Sequence, residues 1–142
     1  MGIKLGSDEM RYIALFESLT GATVCDCLMS EGGNKITFVV KEGDIGLAIG
    51  KGGKRIQQVR RMIGKGVEVL EYSDDPAKFV KNIFAPAKIK SVQITEREGR
   101  KVALVEVEEA DKGLAVGKGG RKIHRVKILA LRNHGIYDVS LT

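Results

Sequence analysis

The sequence predicts an α+β protein made of two copies of one unit, each running helix, strand, strand, helix, helix, strand. Two observations carry that prediction. The segment Ile49-Gly50-Lys51-Gly52-Gly53-Lys54-Arg55-Ile56 returns almost letter for letter as Val116-Gly117-Lys118-Gly119-Gly120-Arg121-Lys122-Ile123, 67 residues later in a chain of 142. Around each copy, period-two alternation of apolar residues gives way to helical spacing. The repeat length sets units of about 70 residues, expected at 1–74 and 75–142. Units so small bury only about 60% of their unfolded surface, so the two are expected to pack as a rigid pair.

After a short leader, Met1 to Gly6, the first helix is expected to start at Ser7 as N-cap. Asp8 and Glu9 then sit where the helix dipole favours acids, and Met10, Ile13, Ala14, Leu15, Phe16 and Leu19 form a broad apolar face ended by Gly21. Val24, Asp26 and Leu28 alternate with Cys25, Cys27 and Met29. A turn at Glu31-Gly32-Gly33-Asn34 leads to Ile36, Phe38 and Val40 alternating with Thr37, Val39 and Lys41. This hairpin excludes a βαβ crossover between its two strands. Alternation puts Cys25 and Cys27 on one strand face, poorly placed for a mutual disulfide, and no nearby His or second Cys pair completes a zinc site, so both read as reduced core thiols.

A short helix over 45–49 leads into the glycines. The next helix, 54–63, directs Ile56, Val59, Met62 and Ile63 inward and Arg55, Arg60 and Arg61 outward, and Val67, Val69 and Leu70 form the last strand. The second unit opens with Asp75 as cap and Pro76 at the first helical position, then an apolar face of Phe79, Val80, Ile83 and Phe84 closed by Pro86. At constant offset, Val92 and Ile94 take the places of Cys25 and Cys27, and Gly99 that of Gly32. The closing helix is expected to run to about Leu131, followed by a turn at 133–135 and a strand over 136–141.

The net charge of +6 hides an asymmetry. Residues 45–67 hold six cations and residues 112–137 hold seven, neither window containing an acid, so the remainder of the chain carries −7. Residues 1–74 are balanced, with ten basic and ten acidic side chains, which leaves 14 and 8 for the second half. Positive charge is thus focused on the glycine loops and the helices after them, a pattern suited to a polyanion held at two places. No apolar run approaches the ~20 residues of a membrane span, and acids inside the N-terminal 19 residues exclude a signal peptide core, so a cytoplasmic protein without membrane attachment is expected.

A single loop of this kind reads as a tight turn; two with the same basic flanks read as phosphate sites, where glycines let bare amides approach an anion. The Walker A pattern fails, because Lys51 and Lys118 are followed by glycine and not Ser or Thr. The dinucleotide fingerprint fails too, with Arg55 and Lys122 at its last position. Glu106, Glu108 and Glu109 read as a solvated strand end, no nucleophile has a recognisable base partner, and neither metal nor cofactor is expected. A nonenzymatic protein is predicted.

Gly-x-x-Gly between two helices resembles the loop of a KH domain, which clamps about four nucleotides of a nucleic-acid backbone. The order of elements is similar to the type II variant of that fold. The junction Asp75-Pro76-Ala77-Lys78-Phe79-Val80-Lys81-Asn82-Ile83-Phe84-Ala85-Pro86-Ala87-Lys88 looks specifically like the tandem KH region of NusA. Because the sequence shows neither the polymerase-binding nor the S1 domain of bacterial members, it is most similar to the short archaeal NusA-like proteins. The resemblance implies a monomeric single-stranded RNA-binding protein acting in transcription elongation or termination; a factor for ribosomal RNA maturation is the alternative. Amides of Lys51 to Gly53 and Lys118 to Gly120 would hold phosphates, and Lys51, Lys54, Arg55, Lys118, Arg121 and Lys122 would neutralise them. From the family, bases would enter a groove floored by Ala48, Ile49 and Ile56, and by Ala115, Val116 and Ile123, with the strand backbone of 37–40 and 104–107 reading their edges. The plainer reading of Ile56 and Ile123 is core. With aromatic content of 5% and none near the loops, a stacking platform is not expected.

Overall fold

A computed structural model describes residues 5–142; most of the leader expected over 1–6 lies outside them. The chain divides into two compact units, one ending at Tyr72 and one beginning at Ser73. In the first, α1 (Ser7–Thr20), β1 (Val24–Met29), β2 (Lys35–Val40), α2 (Ile45–Ile49), α3 (Lys54–Ile63) and β3 (Gly66–Glu71) follow in order. The second repeats this with α4 (Pro76–Ile83), β4 (Ile89–Arg97), β5 (Arg100–Val107), α5 (Lys112–Val116), α6 (Arg121–His134) and β6 (Asp138–Leu141). Each sheet has three strands with the hairpin's second strand in the middle, antiparallel to the first and parallel to the last. The helix–loop–helix carrying the glycines is therefore the crossover between two parallel neighbours, β2 to β3 and β5 to β6.

Apolar periodicity builds the cores, although Met10 and Ala14 of the face expected for α1 are exposed. In the first unit Phe16 of α1 stacks on Phe38 of β2 at 4.2 Å, and Ile36, Val40, Ala48, Ile56, Val59 and Val67 fill the space around them. In the second, Phe79, Val80, Ile83 and Phe84 are all fully buried. There Asp75 caps α4 by accepting a hydrogen bond from the Ala77 amide at 3.1 Å, with Pro76 in the first turn.

Several expectations need correcting. Gly6, not Ser7, occupies the cap position of α1 and supplies no side-chain bond. Met62 is 60% exposed, because the burial stripe of α3 runs through Ile56 and Val59 with Ile63 half-buried beside them. Thr37 and Val39 are buried along with Ile36, Phe38 and Val40, so β2 does not alternate between core and solvent. The α6 helix continues through His134, whose Nε2 lies 2.7 Å from the Ser73 carbonyl oxygen and whose ring sits 5.1 Å from that of Phe79. That tie adds a turn beyond Leu131.

Cys27 is buried but Cys25 is exposed, and neither forms a disulfide. A bulge is the cause: Val24 pairs with Val40 and Asp26 with Val39, so two β1 residues oppose one step of β2 and Cys25 falls out of the alternation. The second hairpin carries the same irregularity between Ile89 and Ser91. Its pairing, Val92 with Val105 against Cys27 with Phe38, makes Val92 the counterpart of Cys27 and Lys90 that of Cys25. The offset is thus 65 in the first strand and 67 from the second onward. The difference lies in the strands: β4 and β5 are together five residues longer than β1 and β2, while the Glu98-Gly99 turn is three residues shorter than the connection over 30–34.

Candidate nucleic-acid interface

Each glycine loop is a single 3-10 turn, Lys51–Gly53 or Lys118–Gly120, wedged between a five-residue helix and a longer basic one. The two copies have nearly the same backbone: Gly50 at φ 76°, ψ 170° and Gly117 at φ 78°, ψ 168°, then Gly52 at φ 63°, ψ 20° and Gly119 at φ 63°, ψ 22°. The first glycine is obligatory twice over. Its torsions are open almost only to glycine, and a Cβ there would lie 2.6 Å from the Arg55 Cβ, or 2.5 Å from that of Lys122. The middle residue of each turn faces open space, with nothing within 4 Å of a Cβ on Gly52 or Gly119.

The loop's own hydrogen bonds engage some of its amides. Gly53 donates to the Gly50 carbonyl at 3.1 Å and Lys54 to that of Lys51; Gly120 and Arg121 repeat both bonds. Among the described residues, the amides that these turns leave outside their own bonds are those of Lys51 and Gly52, and of Lys118 and Gly119. The amides expected at Gly53 and Gly120 are therefore committed within the turn. Lys51, Lys54, Lys118 and Arg121 are exposed, as are Gly52 and Gly119. Upstream, Glu109 accepts a 2.9 Å bond from Lys112 at the start of α5, and that hydrogen bond together with the ammonium charge lowers its pKa.

Two of the predicted phosphate partners behave differently. Lys122 is only 6% exposed, and its Nζ donates to the Ala85 carbonyl at 2.7 Å, so its charge does not face the loop's solvent side. Arg55, its counterpart, reaches the Thr20 carbonyl at 3.1 Å through Nη1, yet stays exposed and keeps further donors available. Of the expected apolar floor, Ala48, Ile56 and Ala115 are core residues, while Ile49 and Ile123 are half-buried and Val116 is exposed. Leu47 and Leu114, not singled out from sequence, are about half exposed at equivalent positions beside the loops. A five-residue helix has one turn, and Ala48 or Ala115 takes its inward position; the neighbouring leucine must point away, a signal the sequence did contain.

The expected reading strand also changes. Residues 37–40 lie in β2, whose backbone is paired on one edge with β1 and on the other with β3. Leu104 and Val105 of β5 are enclosed in the same way by β4 and β6. A strand paired on both edges has no main-chain groups left for a ligand. The strands with a free edge on the crossover side are β3 and β6.

Residues 10–81 match the KH domain family, and residues 76–129 match the NusA-like second KH domain. The chain is 37% identical to the probable transcription termination protein NusA of Halobacterium salinarum over the full length of both. The chain belongs to the NusA-like family. It is also 38% identical to the probable transcription termination protein NusA of Methanococcus vannielii, covering 99% of this chain and 80% of that one. The crystal structure of APE1850 superposes with a TM-score of 0.80 at 40% identity, over 97% of this NusA-like chain and all of the other. Both glycine loops fall inside the matched KH segments. Among the described residues, no helix is long and apolar enough to cross a membrane.

Proposed function

We propose that this protein binds single-stranded RNA through its two glycine loops and acts without catalysis in transcription termination or elongation. The observation that carries this reading is the duplicated turn, with matched torsions and open amides, each at the start of a basic helix. The names of the relatives, probable transcription termination proteins, supply the process. Phosphates would sit on the amides of Lys51 and Gly52 and of Lys118 and Gly119. Lys51, Lys54, Lys118, Arg121 and the outer face of Arg55 would neutralise them. Bases would turn toward Ile49 in the first unit and toward Val116 and Ile123 in the second, beside the free edges of β3 and β6. A duplex hides those base edges, so an unpaired strand is the ligand. The protein acts as a cytoplasmic monomer whose partners are the transcript and, through it, the transcription machinery.

Fluorescence anisotropy with a single-stranded RNA of ~10 nucleotides, at two salt concentrations and against a duplex of equal length, tests this. Binding is expected to favour the single strand and weaken as salt rises. Replacing Lys118 and Gly119 with Asp is expected to lower affinity at least tenfold with the circular dichroism spectrum unchanged. The left-handed torsions of Gly119 accept Asp at modest cost, and the site has room for it. Unchanged binding by that variant would remove the second loop from the interface.

A further inference from the structure

We infer that Lys122 is a positioning residue of the second loop, bracing it against the end of α4 and acting on RNA without touching it; this rests on the RNA-binding reading above. Three observations converge on the side chain. Its Nζ donates to the Ala85 carbonyl at 2.7 Å, two residues past the last residue of α4, from a position only 6% exposed. Its own backbone and Cβ lie against Gly117, the obligatory first glycine, closely enough that a methyl on that glycine would meet them at 2.5 to 2.7 Å. The first unit repeats the arrangement with a different cation: Arg55 lies against Gly50 in the same way and donates to the carbonyl of Thr20, the last residue of α1.

In both units, then, the residue that closes over the first glycine also carries a cation to a carbonyl at or just beyond the end of the unit's first helix. Carbonyls there lack intrahelical donors and lie at the negative end of the helix dipole, so a cation is the suited partner. The bond spans 37 residues of sequence in the second unit and 35 in the first. It fixes the base of each loop to an element outside the crossover. Because the Lys122 ammonium is buried against this carbonyl, it serves the interface by holding Lys118, Gly119 and Arg121 in place.

The test compares K122M, K122R and K118M in the full chain. Binding of the ~10-nucleotide RNA is measured across a salt series, and amide hydrogen exchange of residues 117–120 is measured without RNA. A direct phosphate contact lowers the slope of log K against log[salt] by about 0.7 when removed. K118M is expected to show that loss of slope. K122M is expected to weaken binding about three- to tenfold at unchanged slope and to speed amide exchange in the loop; K122R, which keeps the donor, restores both. A slope loss in K122M equal to that of K118M would overturn the inference by making Lys122 a phosphate contact. Unchanged affinity and exchange in K122M would overturn it by making the brace idle. If the wild-type chain binds no RNA, the functional reading fails, while the exchange comparison still decides the brace. Should K122M not fold, K122Q against K122R gives the same comparison.

Discussion

At the scale of single residues, the two kinds of glycine in each loop predict opposite tolerances. Gly117→Ala would place a methyl against Lys122 in a backbone region reserved for glycine, and is expected to destabilise its unit by about 2–4 kcal/mol. Gly119→Ala meets no atom and requires only a left-handed torsion, for a cost of about 1 kcal/mol. Denaturant midpoints of the two variants check the difference; equal costs would show that the first glycine is not wedged against the helix. The loop glycines were legible in the sequence because duplication marks them. The difference between them was not, since it depends on how closely the next helix approaches. Lys122 was misread for a related reason. Sequence gives its charge, but only the fold supplies the Ala85 carbonyl against which that charge is buried. Cys25 was misplaced because a bulge is a feature of main-chain pairing, and alternation counts residues without seeing the partner strand.

At the scale of elements, the second hairpin turns through Glu98 at φ 53° and Gly99 at φ 77°, a two-residue turn with both central residues left-handed. Asn tolerates that first position better than Glu. Glu98→Asn is expected to stabilise the second unit by about 0.5–1 kcal/mol without affecting RNA binding. An unchanged or lowered denaturant midpoint would contradict the turn geometry. Among the described residues, the order and type of the α-helices and strands were legible, because apolar spacing and the glycine, proline and turn residues between the runs mark them. What escaped was which strand is central. Middle strand β2 and edge strand β3 are both short apolar runs, and only pairing distinguishes them. That error moved the expected base-reading edge by one strand.

At the scale of the whole molecule, two loops on one chain predict a length threshold for RNA. Affinity should rise gently until an oligonucleotide reaches both loops and then step up, since the second contact becomes intramolecular. A chain with Lys51 and Gly52 replaced by Asp should lose the step and keep the gentle rise. An identical step in that variant would mean that one loop does all the binding. The balanced charge of residues 1–74 against an excess of six cations in 75–142 further predicts that most of the salt dependence belongs to the second loop. Division into two like units was the most legible property of all, because a repeat is visible without any physics. The parallel ladder between β2 and β3 carries a consequence of a different kind. It joins Lys35 to Gly66 and Val40 to Glu71, and the first loop lies wholly inside that span. On the ribosome the loop therefore emerges before the strand that closes its sheet, and becomes a defined surface only once Glu71 has cleared the exit tunnel. From then on the first unit has every strand of its own sheet, so a nascent chain completes its first glycine-loop surface while the second is still being translated.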